Sequence, residues 1–313
     1  MLGHFVVTCN IVLPLFIVML VGFCASRFGL ITDETARGCN KLVFRIFLPV
    51  SLCRSIMRVG SGDVLSGKLV AFTIIGIAAV FLVSMLLVPR LEKDDRKRGV
   101  MVQCLFRSNY ALFGVPLCEA LFPQGDGGVS AMMVAIVVPV FNILAVVAME
   151  VFRGGSVNVK KILLGIVKNP LIWGCAVGLI VKAAGLRLPD FIGGAVDRLA
   201  AIASPLALFV LGASLKPGRI RENAGNLAVT VPGRLVVVPL IALSAAYAMG
   251  FRGPEFAALI ITFSSPMAVS SLAMAQQMDG DSDLTVQQIV LTTALSAVTI
   301  FTIIFVSKVL SVF

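Results

Sequence analysis

Apolar runs long enough to cross a lipid bilayer recur along the whole 313-residue chain. A helix needs about 20 mostly apolar residues to span the hydrocarbon core. The pattern therefore predicts ten membrane-spanning helices joined by short connections, with no appended soluble domain. The predicted spans are 5–25, 36–57, 69–89, 100–121, 129–150, 161–181, 190–213, 227–249, 254–276 and 285–310.

The composition argues against a soluble enzyme. Hydrophobic residues make up 58% of the chain and charged residues 13%, whereas a soluble domain carries about 25% charge. The lone histidine, His4, and seven scattered cysteines supply neither a metal ligand set nor a Ser-His-Asp triad. We expect an all-α polytopic membrane protein that is not an enzyme and carries no metal or cofactor.

The formal net charge of +10 is concentrated in particular connections. If the N-terminus lies outside, fourteen basic residues fall on the cytoplasmic side and six on the outside, and the run RLEKDDRKR at 90–98 weighs most. This asymmetry follows the positive-inside rule. It favours a multi-pass protein of the cell membrane (inner or plasma membrane) with both termini outside. Nucleic-acid binding is not expected, because no larger basic surface with base-reading groups is present.

An internal repeat divides the chain into halves 1–156 and 157–313. An offset of 156 residues superposes several prolines and glycines, which have specific backbone roles. The matched pairs are Pro14 with Pro170, Gly22 with Gly178, Gly29 with Gly185 and Pro49 with Pro205. Each half holds five spans, so the second half must enter the membrane with the opposite orientation. Inverted repeats of this kind are typical of secondary transporters.

The fourth and ninth spans contain proline together with small and polar residues. They include FRSNYALFGVPLCEALF from Phe106 and ITFSSPMAVSSLAMAQQM from Ile261. Proline interrupts a helix, and a break at membrane depth must line a protein-enclosed or wet cavity. Breaks also create half-helix N-termini that favour anions. The alternative is a pair of kinked helices whose polar side chains simply bond to neighbouring helices.

These spans supply the candidate binding site. The offset of 156 places Asn109 on Ser265, and neither proline-containing centre holds an acid. Because intramembrane acids usually mark proton or sodium pathways, their absence favours an anionic solute. The candidate substrate-binding residues are Asn109, Ser264, Ser265, Pro266, Gly114 and Pro116, with Asn142 and Arg107 as further members.

Three segments resemble recurring motifs of the auxin efflux carrier family: SNYALFGVPL from Ser108, KNPLIWGCAVGL from Lys168 and SPLALFVLGASL from Ser204. The resemblance implies two inverted five-helix repeats whose helices 4 and 9 cross at prolines. It implies a scaffold from helices 1, 2, 6 and 7 and a transport unit from helices 3–5 and 8–10. It also implies elevator-type motion and homodimers formed through the scaffold. By motif, Asn109 matches the family's crossover asparagine, and Ser265 stands where some relatives have asparagine.

The sequence thus predicts a secondary carrier for a small organic anion. The resemblance implies a substrate such as an auxin-like acid, malonate or another carboxylate. A sodium- or proton-coupled symporter of similar fold remains an alternative that predicts cation dependence. A membrane sensor that binds ligand without transport is a second alternative. A channel would need a continuous polar pore, and its flux would not saturate.

Overall fold

The computed structural model describes residues 2–58, 65–122, 128–153, 159–186 and 188–312. Within these ranges the chain is helical and forms no β-strand. Its helices are α1 Leu2–Arg27, α2 Asp33–Leu42, α3 Leu48–Met57, α4 Gly67–Leu91, α5 Asp95–Phe106, α6 Tyr110–Leu121, α7 Gly128–Phe152, α8 Val159–Lys168, α9 Pro170–Ala183, α10 Asp190–Ala213, α11 Ala224–Pro232, α12 Val238–Ala248, α13 Gly253–Ser264, α14 Ser270–Gln277 and α15 Ser282–Val309. The π-helical turns Val43–Phe47 and Gly233–Val237 connect α2 to α3 and α11 to α12, and a 3₁₀ segment, Pro217–Asn223, precedes α11.

Five helices of the described ranges are long and apolar enough to cross a membrane: Gly67–Leu91, Met132–Phe152, Asp190–Ala213, Ile220–Ala248 and Ser282–Val309. The other predicted spans coincide with α1 and with pairs of shorter helices. The all-helical membrane architecture is confirmed, and the count of ten spans stays a prediction. Large apolar side chains also remain exposed on outer faces, among them Ile75, Leu86 and Leu240, which is expected where lipid replaces water.

The sixth predicted span, 161–181, is two helices in the structure. The Asn169 side chain accepts a hydrogen bond from the Leu171 amide at 2.9 Å and caps α9. Pro170 follows at the first helical position, where its missing N–H costs nothing. A cap and a proline in succession therefore start a new helix inside one apolar run.

Helices α1, α3, α9 and α10 pack together through glycines. A Cβ at Gly22 of α1 would overlap the backbone of Phe209 on α10. A Cβ at Gly178 of α9 would meet the carbonyl oxygen of Cys53 on α3 at 2.9 Å. The two contacts are related by the 156-residue offset found in the sequence, because Gly22 corresponds to Gly178 and Phe209 corresponds to Cys53. Small residues let these helices approach backbone to backbone, as in many membrane helix pairs.

Two helices are interrupted and meet at their breaks. α5 and α6 are separated by residues 107–109, and α13 and α14 by residues 265–269. Ser108 and Met267 form an isolated antiparallel bridge. The Asn109 amide donates to the Pro266 carbonyl at 2.8 Å, and the Ala268 amide donates to the Arg107 carbonyl at 3.4 Å. Each break thus supplies hydrogen-bond partners that the other lacks.

The position of the first break differs from the sequence prediction. Pro266 lies within the second break, as expected, but Gly114 and Pro116 lie inside α6 rather than in a break. A proline inside a helix removes one hydrogen bond and often only bends it. The local two-fold axis of the bridge superposes Asn109 on Ala268, not on Ser265. Residues 107–109 separate α5 from α6, whereas the longer stretch 265–269 separates α13 from α14. Because the two breaks differ in length, a single offset of 156 residues does not hold across the chain.

The glycine contacts generate a stability prediction. A Cβ at Gly212 of α10 would overlap the carbonyl oxygen of Met19. We expect Gly212→Ala to lower the free energy of unfolding by about 1–3 kcal/mol, because two backbones must move apart. Thermal melting in detergent, followed by circular dichroism, measures the effect.

Gly194→Ala is the matched control on the same helix, because nothing lies within 4 Å of a Cβ at Gly194. We expect this exposed helical change to be neutral or to stabilise by about 0.5–1 kcal/mol. Equal melting temperatures for the Gly212 and Gly194 variants would contradict the proposed backbone contact.

Candidate functional site

Arg107 occupies the first helix break and is 3% exposed. The preceding residue, Phe106, ends α5 and packs its ring between Phe81 of α4 and Phe141 of α7, with centroid distances of 5.3 and 6.0 Å. These ring contacts hold the C-terminal end of α5 against α4 and α7. The guanidinium that follows is therefore held in the interior, where α5, α7 and α14 meet.

Neutral oxygens surround the guanidinium of Arg107. Its Nη2 donates to Asn142 Oδ1 at 2.7 Å and to Ser270 Oγ at 3.0 Å. Its Nη1 donates to Gln103 Oε1 at 3.0 Å and approaches Ser271 Oγ at 3.5 Å. No ion pair to Arg107 is found among the described residues. A buried charge without an opposite charge is costly, and such groups in membranes usually mark function.

The positive ends of two half-helices lie beside this guanidinium. Arg107 contacts Ser270 and Ser271, the first two residues of α14. Asn109 is the N-terminal flanking residue of α6. The first turn of a helix leaves backbone N–H groups without intrahelical partners and carries positive partial charge. The guanidinium and both half-helix N-termini therefore add fields of the same sign.

Two polar side-chain atoms at the first break are buried without a hydrogen-bond partner among the described residues. They are the Oγ of Ser108 and the Nδ2 of Asn109. Buried polar atoms normally find a hydrogen-bond partner, so each such atom needs an explanation. The Asn109 amide is a donor, and together with Arg107 it forms a set of groups suited to an oxyanion.

A small cavity of about 80 Å³ lies against these groups. One wall comes from the breaks and α7, with Arg107, Asn109, Ser270 and Asn142. The opposite wall comes from α3, α9 and α10, and its lining residues are Leu48, Ser51, Leu52, Ser55, Leu171, Ser204 and Ala207. The cavity thus separates the glycine-packed helices from the crossing helices.

The structure brings together three of the predicted site residues: Arg107, Asn109 and Asn142. Ser264, Ser265 and Pro266 do not line this cavity. The Ser264 and Ser265 hydroxyls are buried elsewhere and find no hydrogen-bond partner in the described part of the chain, and the Ser265 carbonyl accepts a hydrogen bond from Arg234. Gly114 and Pro116 lie within α6, past its first turn.

Sequence reasoning missed Gln103 and Ser270, which both contact Arg107. Gln103 lies one helical turn before Arg107, and this i, i+4 spacing is a signal that the sequence offers. Ser270 gives no such signal, because only the crossing of the two interrupted helices brings it to Arg107.

A larger cavity of about 1050 Å³ opens on the side predicted to be cytoplasmic. Arg45, Arg153 and Lys168 line it, with Glu150 as an acid beside them. Glu150 pairs with Arg153 at 3.4 Å, which leaves a net positive lining. Glu150 lies about 12 Å along α7 from Asn142 of the small cavity. Charge of one sign in a cleft raises the local concentration of opposite charge.

The crossed helix breaks, the apolar exterior and the small cavity at the crossing together define a polytopic membrane protein. The sequence profile of the family described as Membrane transport protein matches residues 7–304. The chain belongs to this family, the auxin efflux carrier family, as its motifs predicted. It is a membrane transporter and not an enzyme.

Prokaryotic relatives align over most of the chain. An uncharacterised transporter of Methanocaldococcus jannaschii is 25% identical over 297 residues, covering 93% of this chain and 96% of that protein. The uncharacterised transporter YfdV of Escherichia coli K12 is 21% identical over 274 residues, covering 85% and 86%. The mouse lysosomal cholesterol signaling protein is 27% identical over 249 residues, which are 73% of this chain and 28% of that protein.

The contact between Asn142 and Arg107 generates a second prediction. We expect Asn142→Ala to lower the free energy of unfolding by about 1.5–3 kcal/mol, because a buried charged donor loses its shortest partner. The measurement is thermal melting of the purified protein in detergent without added substrate.

Asn226→Ala is the control, because the Asn226 side chain donates to Glu92 at 2.7 Å in a less buried position. Its cost should stay below about 1 kcal/mol. Comparable losses in the two variants would show that the buried guanidinium does not depend on Asn142.

Proposed function

We propose that the protein is a secondary carrier for a small organic anion, a carboxylate such as malonate or an auxin-like acid. The observation that carries this proposal is the buried guanidinium of Arg107, whose described partners are all neutral. A carboxylate in the adjoining cavity would supply the missing negative charge. Charge-assisted hydrogen bonds from a guanidinium to a carboxylate are among the stronger ones in proteins.

Each group at the cavity has a separate role in this proposal. Arg107 neutralises the substrate charge, and the Asn109 Nδ2, which has no partner among the described residues, donates a hydrogen bond to the substrate. The half-helix N-termini at Asn109 and Ser270 add backbone donors. Asn142 and Gln103 hold the guanidinium in place.

The cavity beside Arg107 and Asn109 has a volume of about 80 Å³ and is partly open, so it offers room for a carboxylate but sets no upper limit on the length of the acid. The larger basic cavity at Arg45 and Lys168 would gather anions before they reach the site.

We further propose ten spans in two inverted repeats, with elevator-type motion of one helix group past the other. The glycine contact of Gly22 with Phe209 and its counterpart of Gly178 with Cys53 support a repeat of 156 residues. The cavity between α3, α9 and α10 on one side and the breaks on the other supports a boundary at the substrate. This motion must break the hydrogen bond from Asn40 Nδ2 to Gln276 Oε1.

In this proposal α1, α2, α3, α8, α9 and α10 form the scaffold, and the interrupted helices with α4, α7, α11, α12 and α15 form the transport unit. Homodimers through the scaffold, residence in the cell membrane and external termini complete it. The motif resemblance and the distribution of basic residues support these points.

Two other functions remain as alternatives. A sodium- or proton-coupled symporter of the same fold predicts that uptake needs a cation gradient. A ligand sensor without transport gains support from the mouse relative, which is named as a signaling protein. Saturable uptake into liposomes that contain only the purified protein would exclude the sensor.

Uptake of radiolabelled malonate into proteoliposomes tests the proposed carrier. We expect saturable uptake by the wild type, and competition by other short dicarboxylates. Asn109→Ala should raise the KM about tenfold or more, since a hydrogen bond to a carboxylate is worth about 1.5–3 kcal/mol. Arg107→Gln should reduce uptake at low malonate concentration about a hundredfold or more.

Asn226→Ala, reconstituted in equal amount, is the control and should transport like the wild type. Equal saturable uptake by the wild type and Asn109→Ala would remove Asn109 from the site. A thermal-shift screen with dicarboxylates, aromatic acids and amino acids complements the assay, because a bound ligand raises the melting temperature. Wild-type protein that responds to no carboxylate in either assay would overturn the proposed substrate class.

A further inference from the structure

A second buried arginine lies on the other side of the crossing. Arg234 belongs to the π-helical turn Gly233–Val237 between α11 and α12 and is 0% exposed. A Cβ at Gly233 would lie 2.6 Å from the Leu105 side chain. The absent side chain at Gly233 lets α5 approach this turn closely. π-Helical turns are rare, and they are often found at functional sites.

The guanidinium of Arg234 binds backbone carbonyls from both interrupted helices. Its Nε donates to the Ser265 carbonyl at 2.8 Å and its Nη2 to the Thr262 carbonyl at 3.2 Å. Its Nη1 donates to the carbonyls of Leu105 and Phe106, each at 3.2 Å. The four acceptors lie in the last turns or at the ends of α5 and α13.

The last turn of a helix leaves carbonyl groups without partners and carries negative partial charge. Two such ends converge on Arg234, and no ion pair to it is found in the part of the chain that the structure describes. Four carbonyl oxygens directed at one positive charge are also the kind of ligand set that binds a monovalent metal ion.

We propose that Arg234 is a tethered internal cation that permanently fills the place where a bound monovalent cation would otherwise neutralise the two half-helix C-termini. It acts as a positioning residue, because it holds the carbonyl ends that precede both breaks. It thereby fixes the place where the two breaks cross, and with it the positions of Arg107 and Asn109. The crossing then needs no dissolved cation to form. This inference does not depend on the identity of the substrate, because it concerns the unliganded protein.

The test removes the tethered charge and offers a free one. We expect Arg234→Ala, purified in choline chloride, to melt at least about 5 °C below the wild type. Guanidinium chloride at millimolar concentration, far below denaturing levels, or sodium chloride should restore at least half of that loss. The wild type should melt at the same temperature in choline and sodium salts. Arg221→Ala, at an exposed position, should show neither the loss nor the rescue.

Two further variants separate charge from packing. Arg234→Lys keeps a positive charge and three donors, whereas Arg234→Met fills similar space without either. We expect the lysine variant to melt well above the methionine variant, and only the alanine variant to respond to added cations. If Arg234→Ala aggregates in choline, its recovery as a monodisperse peak on size-exclusion chromatography with guanidinium present is the readout.

Equal stability of Arg234→Lys and Arg234→Met would overturn the proposal, because the charge would then be dispensable. Selective stabilisation of the wild type by sodium would overturn it as well, since a dissolved cation would then bind. Rescue of Arg234→Ala without any carboxylate uptake by the wild type would refute only the proposed carrier function. The two proposals therefore fail separately.

Discussion

The structure depends on the pairing of two helix breaks with each other. In a bilayer no water is available to bond an interrupted backbone, so each break must find its partners inside the protein. The amides of Asn109 and Ala268 bond to carbonyls of the opposite break, and Ser108 faces Met267 in an antiparallel bridge. A single break would leave these groups unpaired. The second interruption is therefore what makes the first one tolerable, and together they create the interior polar site.

The pairing of the two breaks also separates the positive half-helix ends from the negative ones. Two half-helix N-termini lie on the side of Arg107, and two half-helix C-termini lie on the side of Arg234. Both guanidiniums are buried without an acid among the described residues, yet their surroundings differ in sign. The carbonyl ends around Arg234 compensate its charge, whereas the amide ends near Arg107 add to it. The same residue type thus lies against helix ends of opposite sign in one place and against helix ends of its own sign in the other.

Much of this architecture could be predicted from the sequence. Apolar length predicted the helices, and motif resemblance predicted the family that the comparisons confirm. Arg107, Asn109 and Asn142 were expected at one site, and they line the same cavity, while their part in substrate binding stays a prediction. Their burial was predictable because an intramembrane polar residue has few alternatives to a buried role.

Other features could not be predicted, for physical reasons. The first break precedes Tyr110, whereas Pro116 lies inside α6, because pairing with the second break and not the proline decides where the helix stops. The Ser265 carbonyl accepts a hydrogen bond from Arg234, a contact that the sequence does not signal. The role of Arg234 depends on four backbone oxygens from distant segments, and backbone acceptors have no signature in a sequence.

The wall that faces the site from α3 and α10 has a consequence for the rate of the proposed motion. Ser51, Ser55, Ser204 and Ala207 present small side chains to the cavity, beside the larger Leu48 and Leu52. Small side chains interlock less with a facing helix than leucines do, so the energy of the proposed motion would change most where the opposing helices pass the two leucines. The motion would also break the hydrogen bond between Asn40 and Gln276, so its rate would depend on that contact as well.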